Sequence, residues 1–245
     1  LHIEQGSVLE ENRIDLGIVT GIRGNVRYTV KVAGRFDHSG ATPLGPKYRR
    51  DANLAIAYMI TRLNELAKSY EKKGLDLVET VGVINSDPGI NKDEFKVYQN
   101  ALTKVSGFAY FKIDVRSSNP VVLVRYENDM LGMIKGTGKE FGVEVELSQR
   151  KSEVPLERMD ISVQHLIESA CKEMGISYHF MPSGAGHDTM NVARQKKSNG
   201  LCIPVGMIFV PCRNGVSHSP EEYAKLSDVT KGATVLANTL YQLAK

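Results

Sequence analysis

Four of the six histidines in this 245-residue sequence sit among small or turn-forming residues: His2 in LHIEQG, His38 in FDHSGATP, His187 in PSGAGHD and His218 in NGVSHSPEE. Imidazole changes charge near physiological pH and is the commonest metal ligand, and loops at the ends of packed elements are where such side chains are held for function. The chemistry open to such a set is metal ligation, proton transfer or stabilisation of charge on a substrate. His2, followed by Glu4 and Gln5, has the type and surroundings of a ligand for zinc, manganese or nickel, with polar neighbours to orient a substrate; the alternative is a frayed terminus. His218, ahead of Glu221 and Glu222, could ligate from a loop before a helix, or those carboxylates could be favourable charges near a helix N-terminus. In PSGAGHD, a tight loop that exposes His187 and Asp188 to a ligand competes with a plain turn whose Asp188 caps the next helix. The glycines there lack the rest of a nucleotide-binding fingerprint. Arg116 in FKIDVRS shares a strand face with Asp114 and Lys112, so it is either a solvated charge or a planar fork for a substrate carboxylate. His165, His179, Met207 and Phe209 read as structural.

The elements that must position these groups are legible from periodicity. Val26, Tyr28, Val30, Val32 and Phe36 alternate with Arg27, Thr29, Lys31 and Arg35, the period of a half-buried strand. Ile56, Met59, Ile60, Leu63, Leu66 and Ala67 fall at helical spacing in a segment that Gly74 could close. LVETVGVI and FAYFKIDVR read as two further strands. SSNP supplies an N-cap with Pro120 at the first helical position, a helix runs to about Gly138, and VEVEL closes the region as a fourth alternating strand. The order β-α-β-β-α-β is the split ferredoxin-like arrangement.

Past Pro155 the pattern changes. Val163, Leu166, Ile167, Ala170, Cys171 and Met174 mark an amphipathic helix, ISYHF a short strand, and IPVGMIFV a continuously apolar, buried strand. A last helix from about Asp228 is expected to turn Val229, Ala233, Leu236, Ala237 and Leu240 inward. These are pieces of an α/β layer sandwich with too few strands and helices to close a core. The bend at KSEVPLE is the candidate linker.

Composition narrows the function classes. The 31 basic and 28 acidic residues are spread along the chain without a basic stripe, which argues against a nucleic-acid partner. No apolar stretch approaches membrane-spanning length, so no membrane partner is expected. Three cysteines, an odd count without CxxC spacing, read as reduced thiols rather than a disulfide framework, and the first residues lack a signal-peptide profile. The expected location is cytoplasmic.

Taken together, LHIEQGSVLE, GIVTGIRG, DHSGATPLGPKYRRDA, FKIDVRS, PSGAGHD and MIFVPCRNGVSHSPEE stand in the order and at about the separations found in the M20-type amidohydrolases. That group includes allantoate amidohydrolase, N-carbamoyl-L-amino-acid hydrolase and β-ureidopropionase, and the resemblance covers essentially the whole chain. It implies an α/β fold: a partial di-metal, aminopeptidase-like catalytic domain with an inserted ferredoxin-like (βαββαβ) lid and dimerisation domain. The implied division is 1–17 and 152–245 for the catalytic part and 18–151 for the lid.

The resemblance makes His2 and His218 metal ligands. Gln5, Arg116, His187, Asp188 and Gly215 become substrate-contacting positions, with Arg116 on the substrate carboxylate. His38 resembles the lid histidine that reaches the partner subunit's site and stabilises the tetrahedral intermediate. QNALTKVSG departs from the family's NAINVVPG-like stretch, so the family's substrate-binding asparagine falls on Thr103, with Asn100 three residues earlier. The implied activity is metal-dependent cleavage of a carbamoyl or ureido C–N bond in a small carboxylate such as allantoate or an N-carbamoyl amino acid, with two divalent ions, zinc or manganese, in a homodimer joined through the lid. The family's remaining ligands and its general-base glutamate precede HIEQG, so this chain is expected to be a C-terminal part of such an enzyme, inactive by itself and with an incomplete metal site. The alternatives are a non-catalytic lid or dimerisation module and an M20 metallopeptidase.

Overall fold

The structure is a computed structural model that describes residues 1–86, 100–148 and 157–245. Most of the expected linker at KSEVPLE lies outside the described residues. The chain divides into two compact units: Leu1–Arg23 with Leu156–Lys245, and Gly24–Pro155.

The first unit carries a mixed sheet of β1 (His2–Ile3), β2 (Leu16–Ile22), β9 (Glu157–Arg158), β10 (Tyr178–Ser183) and β11 (Ile208–Val210). Its order is β1-β11-β2-β10, with β9 also paired to β2. β1 runs parallel to β11 in the register His2↔Phe209, β11 antiparallel to β2, and β10 parallel to β2. α4 (Ile161–Glu173) begins where the Asp160 carboxylate accepts the Ser162 and Val163 N–H groups at 2.8 and 3.2 Å, supplying acceptors the helix itself lacks there. Its Val163, Ile167, Ala170 and Cys171 pack on Leu16, Ile18, Ile208 and Val210 together with α6 (Leu226–Leu243). Full burial of each such aliphatic side chain is worth roughly 1.5–3 kcal/mol. Two short helices, α1 (Val8–Glu11) and α5 (Thr189–Ala193), complete the unit.

Two expectations for this unit are corrected. The strand expected over IPVGMIFV is confined to Ile208–Val210, because residues 203–207 take no ladder partner in the sheet. In α6 Val229 and Leu236 pack against the core as expected, but the buried residues are Gly232, Val235 and Thr239, while Ala233, Ala237 and Leu240 are exposed. The cause is close approach at Gly232, where a Cβ would stand 2.6 Å from Leu1 and 2.8 Å from Val210. That line of the helix therefore turns inward, and positions three and seven residues on follow it.

The second unit is built from β3 (Gly24–Ala33), α2 (Ala52–Glu71), β5 (Val78–Asn85), β7 (Phe108–Ser117), α3 (Pro120–Glu140) and β8 (Glu144–Leu147). The sheet order β5-β7-β3-β8, all neighbours antiparallel, is that of a split βαββαβ fold. β4 (Asp37–His38) and β6 (Lys104–Val105) form a separate two-stranded pair. β3 stops at Ala33, short of the expected Phe36, which is exposed. Asp51 caps α2, and Asn119 caps α3 just ahead of Pro120, as SSNP suggested. The alternating residues Val26, Tyr28, Val30 and Val32 meet Ile56, Met59, Leu63, Tyr126, Met130 and Ile134 in one core. Polar ties cross it: the Tyr28 hydroxyl donates to Glu127 at 2.6 Å and that of Tyr126 to Glu79 at 3.0 Å.

Among the described residues, no helix is long and apolar enough to cross a membrane. Cys171 and Cys212 are buried thiols, Cys202 is an exposed one, and all three are free.

Candidate active site

The candidate residues fall into one group on each unit. On the first, His2 opens the edge strand β1, and its ring lies edge-on to that of His187 with centroids 4.5 Å apart. Phe209, directly across the ladder from His2, is buried and packs beneath both rings with centroids 6.3 and 5.7 Å away, so a core residue also underlies the candidate site. His2 Nδ1 stands 2.7 Å from the Ile3 carbonyl oxygen. A carbonyl only accepts, so Nδ1 carries a proton, and in the neutral ring Nε2 is then the bare nitrogen, the arrangement that a second partner imposes on a metal-ligating imidazole.

His187 follows β10 on the glycine-rich loop and is half-buried, with Nε2 2.7 Å from the Ser183 hydroxyl. Burial, and then the His2 ring, lower its pKa to about 4 against a smaller opposite pull from Asp188, so the ring is neutral at physiological pH. Asp188 stands at the start of α5 without making a side-chain cap, and its carboxylate is exposed. The capping role that competed with ligand contact is therefore not the one it plays.

Gln5, Gly215 and His218 lie on two loops braced against each other. Gly215, at φ +64°, passes so close to the Gly6–Ser7 peptide that a Cβ would sit 3.1 Å from Gly6 C and Ser7 N. Glu10 accepts the Asn214 N–H at 2.5 Å, and Glu4 accepts those of Val8 and Leu9 at 3.0 Å each. The buried Cys212 thiol, its pKa pushed up by burial, donates to the Val216 carbonyl and is approached by the Gln5 N–H. Within this frame Gln5 takes φ +61°, Asn214 +55° and His218 +56°. Such left-handed non-glycine backbone costs of order 1–3 kcal/mol each and persists where the surroundings over-determine it. Glu222 does not charge a helix terminus: it accepts the His218 N–H at 2.9 Å, and α6 begins only at Leu226.

On the second unit, His38 is exposed at the end of β4, opposite Lys104, and the Ser39 N–H donates to the Thr103 carbonyl. His38 Nδ1 accepts the N–H groups of Gly40 and Ala41, both at 3.1 Å. Its proton is therefore on Nε2, which is left as an outward donor, the reverse of His2. Thr103 is exposed beside it. Asn100 uses its amide to donate to the Phe108 carbonyl at 2.9 Å, a bond that ties it to the sheet.

Arg116 is half-buried near the far end of β7. Its Nε and Nη2 both donate to one oxygen of Asp114, at 3.1 and 2.6 Å, and Arg27 reaches the same oxygen at 3.2 Å. The solvated-charge reading of Arg116 does not describe this ordered fork.

Asp114, Ser183 and Phe209 were not recognised in the sequence as parts of the site. In the sequence Asp114 reads only as a neighbour on the strand face and Phe209 only as core, and a serine ahead of a glycine-rich loop gives no sequence signal of its own. Among the described residues, no group of three or more histidine, cysteine, aspartate or glutamate side chains is arranged to hold a metal ion. His2 fits a metal ligand singly, but the described residues do not assemble a metal site.

The sequence matches the model of peptidase family M20/M25/M40 over residues 1–242. The chain belongs to this family. It is 34% identical over 248 residues to the allantoate amidohydrolase of Escherichia coli (strain K12), covering all of this chain and 54% of that enzyme. It is likewise 34% identical over 245 residues to the N-carbamoyl-L-amino acid amidohydrolase of Geobacillus stearothermophilus, again covering all of this chain and 54% of the relative. The crystal structure of a hydantoinase/carbamoylase family amidase from Burkholderia ambifaria superposes with a TM-score of 0.83 at 27% identity, over 99% of this M20 chain and 53% of that one. The M20-type amidohydrolase resemblance and the α/β fold class read from the sequence are thus borne out. The chain spans about half the length of the curated relatives it matches.

Proposed function

We propose that this M20 chain serves in the metal-dependent hydrolysis of a carbamoyl or ureido C–N bond in a small carboxylate substrate, allantoate or an N-carbamoyl amino acid. The observation that carries the reading is the opposite bonding of Nδ1 in two candidate histidines, to a carbonyl in His2 and to two N–H groups in His38. His2 offers a bare Nε2, as a ligand must, and His38 offers an Nε2–H, as a donor to a developing oxyanion must. His218 is the second proposed ligand, Gln5, Gly215, His187 and Asp188 line the substrate, and Thr103, with Asn100 behind it, contributes from the His38 hairpin. Arg116, held in an ordered ion pair by Asp114, is the proposed partner of the substrate carboxylate.

Two divalent ions, zinc or manganese, belong to this reading. The described residues alone do not form a site for either, so further donors are proposed to come from polypeptide outside these 245 residues. A homodimer belongs to it as well, supported by a register argument. His38 follows the end of β3 that pairs with Phe108, whereas Arg116 pairs with Asn25 at the other end. Eight residues of strand span about 26 Å. One small substrate cannot bridge that distance, so the His38 and Arg116 that serve it are proposed to come from different copies.

The test is turnover of N-carbamoyl amino acids and allantoate, with zinc or manganese, by the 245-residue chain alone and by the chain supplied with the part of a relative that it does not span. Chelator-sensitive turnover only in the second supports the reading. Turnover by the chain alone would overturn the incomplete-site part of it, and cleavage of peptides in place of carbamoyl substrates would make this a metallopeptidase.

A further inference from the structure

The Ser183 hydroxyl, fully buried at the end of β10, has three polar neighbours. The Ala185 N–H lies 3.1 Å away, the Ala185 carbonyl oxygen 3.2 Å, and His187 Nε2 2.7 Å. An N–H can only donate, a carbonyl can only accept, and an imidazole nitrogen can do either, while the hydroxyl has one proton to give. If Ser183 gives that proton to His187, the Ala185 carbonyl loses its partner. All three neighbours are satisfied together only when the hydroxyl donates to Ala185 O and accepts from both Ala185 N–H and a protonated His187 Nε2.

We propose that Ser183 is a positioning residue that holds His187 in the Nε2–H tautomer, so that the ring meets a substrate through a bare Nδ1 acceptor. The role in substrate binding rests on the reading of His187 as part of the active site; the tautomer itself does not. An acceptor at this position suits the N–H groups of a ureido or carbamoyl moiety and repels a carboxylate, whose oxygens can only accept.

The two ring nitrogens of a neutral histidine have well-separated 15N resonances according to which bears the proton, so a long-range 1H–15N correlation spectrum of the 245-residue chain, taken above the pH range of histidine titration, reads the tautomer directly. A His187→Asn spectrum assigns the signals. In the wild-type chain His187 is expected to show a protonated Nε2 and a bare Nδ1. In Ser183→Ala the two resonances should move toward each other as the tautomers mix, and in Ser183→Thr, which keeps the hydroxyl, they should return. A proton on Nδ1 in the wild-type chain overturns the proposal even if neither variant folds, and so does a Ser183→Ala spectrum with His187 unchanged. A failure of the proposed hydrolytic function would appear in turnover assays and leave these spectra as they are, so the two ideas fall separately.

Discussion

Every described non-glycine residue with positive φ, Gln5, Arg13, Asn214 and His218, lies in the first unit, whereas the second places its left-handed backbone on Gly45, Gly74 and Gly142. The two regions solve different problems. The ferredoxin-like unit is continuous in sequence, runs ten-residue strands β3 and β7 side by side, and fills one core from both helices. The first unit is split along the chain, uses strands of two to seven residues, and spends backbone strain on the loops that hold Gln5 and His218. Two units that both carry candidate site residues thus hold them differently: Gln5 and His218 on left-handed backbone, His38 and Arg116 on backbone outside that region.

The sharpest test of that contrast is a core truncation in the second unit. Phe111→Ala, at a fully buried position of β7, should cost about 3–5 kcal/mol. Hydrogen exchange followed segment by segment should show the lost protection within 24–148; equal loss in 157–245 would mean the two units unfold as one block. A smaller effect on the same unit is expected from Tyr28→Phe, which takes a 2.6 Å donor from the buried Glu127 carboxylate and should cost about 1–3 kcal/mol in denaturant melts.

On the strained side, Gly215→Ala must hold a Cβ at φ +64° against the Gly6–Ser7 peptide, which should cost about 1–2 kcal/mol. Its signature is local: faster exchange of the Asn214 and Gln5 amides, with the second unit unchanged. A stable Gly215→Ala chain with protected amides would show that the loops are not braced in the way the distances imply.

The smallest expected effect concerns Asp15. Burial raises the pKa of its carboxyl, but hydrogen bonds from Lys231 and from Ser177 outweigh burial and leave it below its ordinary 3.8. A depressed carboxyl stabilises the fold above its unfolded-state value, and that contribution is lost as pH falls through the folded-state value. Asp15→Asn should therefore be slightly less stable than the parent at neutral pH, with the difference closing at acid pH below the usual carboxylate range. A difference that persists undiminished in acid would assign the loss to packing.

The second unit was legible because its strands are long enough for period-two alternation to register, as Val26, Tyr28, Val30 and Val32 do, and because Asp51 and Asn119 cap helices with clear apolar stripes. In the first unit, three-residue β11 is too short for a period, and the apolar run before it resembles strand without pairing as one. Of the α6 residues that the pattern turns inward, Val229 and Leu236 pack against the core, while Leu240 is exposed because close packing at Gly232 decides the rotation.

Sequence by itself determined the kinds of groups available: loop histidines beside glycine and serine, an arginine on a strand face, and an element order whose strands could pair in only a few ways. It also determined the family, because the spacing of those motifs is a property of the chain alone. Which ring nitrogen carries a proton, which oxygen of Asp114 gathers the arginines, and which loops are driven into left-handed backbone were decided by tertiary structure. Each depends on a partner far away in sequence or on a backbone group whose direction is set only when the fold closes. His2 and His38 are the same residue type, each in a two-residue strand, and only their neighbouring backbone groups, a carbonyl for one and two N–H groups for the other, make the neutral ring an acceptor in one and a donor in the other.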